Sequence, residues 1–156
     1  MRTIIYSALL TVLFISGCSL PDPEENAIKD LFESFVASID KGDEVLGKAC
    51  LLNETGFKEL NPTVSERADG DVFTEVELAE LFYNYRALLD EYTGRDVKFI
   101  DFTIGNLWAQ HKGRRAFENN LIRISVNGSE SVLSVRGIAK IGDKWKIVEL
   151  SNAEGN

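Results

Sequence analysis

The chain has 156 residues, 44% apolar and 27% charged, which is room for one domain with a buried core. Its net charge is −8, from 17 basic and 25 acidic side chains, and this argues against a nucleic-acid partner, since phosphate binding needs a basic face. The charge is unevenly spread: residues 22–96 hold 19 acidic and 7 basic side chains, a balance of −12, while residues 97–156 hold 6 acidic and 9 basic, a balance of +3.

The N-terminus reads as a signal peptide over residues 1–17. Arg2 supplies the positive start, and Ile4 to Ile15 form an apolar run broken only by Ser7 and Thr11. A bilayer-spanning helix needs ~20 apolar residues, so this run is too short to act as an anchor by itself. Ser16 and Gly17 then lead into Cys18. The tetrad Ile15-Ser16-Gly17-Cys18 resembles the lipobox of bacterial lipoproteins: a branched aliphatic residue, two small residues, then a cysteine. The resemblance implies that the Cys18 thiol receives a diacylglyceryl group, that a signal peptidase cuts between Gly17 and Cys18, and that the new amine is acylated in turn. At ~0.8 kcal/mol per buried methylene, two or three acyl chains hold a protein on a membrane almost permanently. Ser19 follows in place of the aspartate that favours inner-membrane retention in such proteins. In a host with two membranes, the resemblance therefore implies the outer one. An ordinary secreted protein, with Cys18 free or disulfide-bonded, is the competing reading.

Residues 18–25 are expected to be the lipidated cysteine and a tether, since "LPDPEE" combines two prolines with three acids. The domain is expected over 26–151, with a short tail at 152–156. Ile28, Leu31, Phe32, Phe35 and Ile39 recur at helical spacing. Gly42 suits the left-handed position that ends a helix, and Asp43 can cap a short second one. Asn53 to Phe73 is irregular and acidic, expected as a loop with a helical turn. Thr74 and Glu77 form a capping box for a third helix, whose stripe runs from Leu78 to Tyr92 and stops at Gly94.

From Val97 the period falls to two. Ile100, Phe102 and Ile104 alternate with polar neighbours, as do Ile122, Ile124 and Val126, then Leu133 and Val135. "NGS" at 127–129 and "GD" at 142–143 are turn signals, the second leading into "KWKIVEL". Helices followed by strands with one apolar face predict an α+β fold, the helices packed on a four-stranded antiparallel meander. This order resembles the nuclear transport factor two-like, or cystatin-like, superfamily. "SIDKGDEVLGKACLL" is similar to its first helix–turn–helix and "IAKIGDKWKIVEL" to its last hairpin. The resemblance implies a cone-like sheet wrapped around helices, with a pocket inside.

The chemical motifs are incomplete. "GDEVLGKA" at 42–49 nearly spells a phosphate-binding loop, but Ala49 stands where a hydroxyl is required, and Asp43 and Glu44 would repel phosphate. Asp69, Asp71 and Glu75 match only a fragment of a calcium loop. No paired zinc motif occurs, so neither a metal nor a cofactor is expected. Cys50 has no second cysteine once Cys18 carries lipid, and it falls on the apolar side of a helix as a buried thiol. His111, with Lys112, Arg114 and Arg115, forms the one basic cluster, read as a solvated hairpin loop or an anion or headgroup contact. Asp101 falls on the polar side of its strand, and Tyr83, Tyr85 and Tyr92 on or near the third helix. The function expected is a non-catalytic envelope domain, tethered by Cys18, that binds a partner protein or a small apolar ligand. The alternative is a small pocket enzyme of isomerase or dehydratase type, doing acid–base work.

Overall fold

The computed structural model describes residues 23–60, 75–111 and 114–151. Helix α1 (Pro23–Lys41) buries the predicted stripe of Ile28, Leu31, Phe32, Phe35 and Ile39. Each such side chain contributes ~1.5–3 kcal/mol when removed from water, so the stripe holds the helix more than its own propensity does. The helix starts three residues before the expected domain boundary and takes Pro23, Glu24 and Glu25 out of the tether. Proline suits the first helical position, where its missing N–H is not needed, and the acids favour the positive helix start.

Gly42 ends α1 with φ of 66°. The Asp43 carboxylate accepts the Leu46 N–H at 3.0 Å and caps α2 (Glu44–Cys50). The phosphate-loop lookalike is therefore a helix–turn–helix corner. Leu51 then bridges to Ile147 in parallel fashion, and the Leu52 N–H donates to the Ile147 carbonyl at 2.8 Å. The segment expected to be irregular begins as a helix, α3 (Glu54–Leu60), with Asn53 Oδ1 accepting from the Gly56 N–H at 2.8 Å. The proposed calcium-loop residues Asp69 and Asp71, and the capping Thr74, lie outside the described residues. Helix α4 (Glu75–Tyr92) buries Leu81, Tyr85, Leu88, Leu89 and Tyr92 from the predicted stripe.

Five antiparallel strands follow where four were expected: β1 (Val97–Thr103), β2 (Asn106–His111), β3 (Arg114–Val126), β4 (Ser129–Ile141) and β5 (Lys144–Glu149). They run in the order β1-β3-β4-β5, with β2 also on β3. The extra strand is a division of the first one. Thr103 faces Leu121 and Asn106 faces Glu118, so β1 and β2 lie end to end along β3 and the register is kept across the gap between them.

The division has a local cause. A Cβ at Gly105 would lie 1.9 Å from the Glu118 carbonyl oxygen, so the chain there sits closer to β3 than any side chain allows. Opposite the gap, Asn119 has φ of 59° and Asn120 is buried at 0% exposure. Asn120 Oδ1 accepts from the Gly105 N–H at 3.2 Å, and its amide donates to the Phe117 and Val135 carbonyls at 3.1 and 3.2 Å. One buried amide thus replaces the ladder bonds that the break removes.

A second irregularity corrects an expected core position. The register shifts between Phe99 and Asp101, leaving Ile100 as a bulge that is 37% exposed instead of inward. Val97 and Phe99 face the helices before the bulge, and Phe102 and Ile104 after it. Ile122, Ile124, Leu133 and Val135 are buried as alternation predicts. Phe32 of α1 meets Phe102 edge-on at 5.5 Å, which seats α1 on the sheet. The charge asymmetry of the sequence is thus one between layers: the acidic half makes the helices and the basic half makes the strands.

Candidate functional site

The lipidation and cleavage positions, Cys18 and Gly17, lie outside the described residues. Among the described residues, no helix is long and apolar enough to cross a membrane.

Cys50, Asp101, Tyr85, Tyr92 and Arg115 are each held in a structural role. Cys50 ends α2 and is 4% exposed. Burial pushes its thiol up to about 11, against a weaker opposite pull from the Lys146 ammonium. At that value roughly one thiol in ten thousand is ionised at pH 7, and the thiolate is the reactive form. A thiol reagent added to the native protein is therefore expected to leave Cys50 unmodified for hours and to label it promptly in denaturant. Rapid labelling of the folded protein overturns this.

Asp101 lies exposed on the outer face of the sheet, where its carboxylate accepts two bonds from the Arg123 guanidinium. That placement agrees with the expected polar side and keeps the carboxylate away from the apolar core. Tyr85 is buried, and its hydroxyl lies 3.2 Å from Ser38 Oγ and 3.3 Å from the Asp43 carbonyl. Burial raises its pKa, so it stays neutral and acts as a donor that ties α4 to the α1–α2 corner. Gly47 gives it room: a Cβ there would fall 1.7 Å from the Tyr85 hydroxyl oxygen. Tyr83 points the other way and is 74% exposed. Tyr92 is buried in the core, and burial raises its pKa too.

The basic cluster at the β2–β3 turn is only partly described. His111 pairs with Arg114 in the ladder, and Lys112 lies outside the described residues. Arg115 is not a solvated loop residue. Its guanidinium bonds Glu24 in the first turn of α1 and lies over the Phe117 ring, 5.4 Å from the centroid. Lys140 on β4 bonds the other oxygen of the same carboxylate at 3.0 Å. Glu24 is thus clamped by two cations from two strands, and all three side chains are half-buried. No feature of local spacing marks this arrangement, because the partners are 91 and 116 residues away.

Phe117 in turn stacks on Trp145 at 5.6 Å. Trp145 is 5% exposed, as the alternation with Ile147 predicts, and its indole N–H is buried without a hydrogen-bond partner among the described residues. Among the described residues, no group of three or more His, Cys, Asp or Glu side chains is placed to hold a metal.

No family model matches the chain, and no curated protein shows significant similarity to it.

Proposed function

We propose that this protein is a lipid-anchored domain of the bacterial envelope that works by binding a partner protein through its surface. Cys18 carries the anchor, and Ser19 directs the protein to the outer membrane where the host has two. The helices-then-sheet order supports a kinship with the nuclear transport factor two-like superfamily.

The observation that carries a surface role is the packing of the interior. Phe32, Phe35, Ile122, Ile124, Val135 and Ile147 are each 0% exposed, so no water-sized space adjoins these six side chains. A small apolar ligand needs such a space. The described candidates for acid–base work are also committed elsewhere: Asp101 to Arg123, Tyr85 to the α1–α2 corner, Cys50 to burial. These placements among the described residues favour a surface role over a ligand in the core.

Substitution of Cys18 tests the anchor. In cells fed an alkyne fatty acid, Cys18→Ser is expected to lose all label, to run at the size of the uncut precursor and to drop out of the mature membrane-bound pool. A variant that still takes up label and is still cut overturns the lipoprotein reading. Cross-linking in intact cells tests the surface role: the wild type is expected to give a discrete protein adduct that Cys18→Ser lacks.

A further inference from the structure

The two long helices treat water differently. α1 hides its large apolar side chains, pairs Lys29 with Glu33 at 3.5 Å and ends on Lys41, where a cation suits the negative end of a helix. α4 leaves Val76 66% and Tyr83 74% exposed, seven residues apart and so on one line of the helix. Ala79 lies between them on the same face and is exposed, and half-buried Ala87 follows one turn beyond Tyr83. At 100° per residue this crest points directly away from Leu81, Tyr85, Leu88 and Tyr92, which enter the core.

The charges of α4 also work against the helix that carries them. It holds five acids, Glu75, Glu77, Glu80, Asp90 and Glu91, against one base, Arg86, a balance of −4. Glu77 and Glu80 stand one turn apart with the same sign. Asp90 and Glu91 lie in the last turn, the negative end, with no base beside them in that turn. Glu77, Glu80 and Glu91 line one flank of the crest, while Arg86 lies on the other and is drawn to Glu44 of α2. Local choices that lower an element's own stability concentrate where function requires them.

We propose that the outward face of α4 is the docking surface and that it takes a basic amphipathic helix of the partner protein. This deepens the surface-binding reading and rests on it. Val76, Ala79 and Tyr83 follow the three-and-four spacing by which one helix packs on another, and the alanine lets the partner's backbone approach to the usual ~8–10 Å. From Val76 to Asp90 the face runs ~21 Å, which about four turns of a partner helix cover. Its lysine or arginine side chains meet Glu77, Glu80 and Glu91 along the flank and Asp90 at the end.

Charge selects this occupant. A second copy laid α4 to α4 sets −4 against −4, and an anionic lipid surface meets the same repulsion. The outer face of the sheet offers less. Leu121 and Val132 are half-exposed there, but Arg123, bonded to Asp101 and 4.0 Å from Glu130, stands opposite Val132 and breaks up the apolar area.

The test puts p-benzoylphenylalanine in place of Val76 or Tyr83 in the full-length protein in cells, with Lys29, Val45 and Val132 replaced in turn as probes of α1, α2 and the sheet. Illumination is expected to give protein adducts at 76 and 83 several-fold above the other three. The cross-linked peptide is expected to be net positive, with apolar residues three and four apart. Glu80→Lys is expected to cut the adduct yield at 83 several-fold while melting no lower than wild type, because it turns the Glu77–Glu80 repulsion into attraction; Glu80→Gln is expected to fall between. A yield that neither Glu80 variant lowers overturns the proposal. So does an adduct at 76 and 83 with a second copy, with lipid, or with an acidic or neutral segment. Adducts at 29, 45 or 132 with none at 76 and 83 overturn the α4 surface alone, and no protein adduct at any of the five positions overturns the surface-binding reading with it.

Discussion

Trp145→Ala is expected to lose ~3–5 kcal/mol of folding stability, the usual cost of truncating a buried large aromatic. Small domains hold only 5–15 kcal/mol in total, so this threatens the native state at body temperature. Trp145 sits on β5 opposite Lys140, packs its ring on Phe117 and is almost wholly buried. Removing it leaves Phe117 without its partner, and Phe117 supports the Arg115 guanidinium that grips Glu24. Trp145→Phe is expected to behave quite differently. The indole N–H has no acceptor among the described residues, and a buried donor without one costs ~1–3 kcal/mol. Phenylalanine removes that cost while keeping most of the stacking, so its net loss is expected to stay below ~1 kcal/mol. Urea unfolding of the three proteins checks both claims. A Trp145→Ala midpoint equal to wild type places the ring outside the core. A Trp145→Phe loss as large as that of alanine implies that the N–H has a partner after all.

How much of this was legible in the sequence follows from how local each signal is. The stripes of α1 and α4 repeat over several turns, so both helices, with Gly42 and Gly94 closing them, could be read directly. The Asn127-Gly128 turn was equally plain, since both residues take positive φ and few other pairs do so readily. The first strand departs from simple alternation in two places. The break at Gly105 is held by Asn119 and Asn120 of the partner strand, and the bulge at Ile100 is an extra residue set against Ile124 and Arg123, and period-two counting along one strand sees neither. β2 was missed because "NLWAQH" lacks alternation and owes its extended form to pairing with β3. The Glu24 clamp was out of reach in principle. It joins three positions far apart in sequence, and the same letters suited an acidic tether and a basic loop. The one hint was the concentration of negative charge in the helices and positive charge in the strands, which layering then brings together.

The side chain that holds the broken strand together gives the other large effect. Asn120→Asp is expected to cost ~3–5 kcal/mol at neutral pH, the range for a buried charge without a partner. In the wild type the Asn120 amide donates to the Phe117 and Val135 carbonyls, while its oxygen accepts from Gly105. Aspartate keeps the acceptor toward Gly105 but turns a second carboxylate oxygen toward two carbonyl oxygens at a site with no solvent exposure. Both burial and those oxygens disfavour the ionised form, so the folded-state pKa lies above the unfolded value of ~3.9. The sign of the pH dependence follows. Below ~3.9 the carboxyl is protonated in both states, and its O–H can donate to one of the two carbonyls. As the pH rises from there to the folded-state pKa, the unfolded chain releases its proton while the native protein still holds it, and stability falls throughout that window. The gap in melting temperature between Asn120→Asp and wild type is therefore expected to be smallest near pH 4 and to widen toward pH 7.5. Comparing the two proteins at each pH cancels the titration of the other carboxylates. Asn120→Ala, which has no proton to exchange, is expected to show a gap that does not move with pH. An Asn120→Asp gap that is constant, or that widens on acidification, would mean that residue 120 is hydrated and that something other than its amide carries the strand across the break at Gly105.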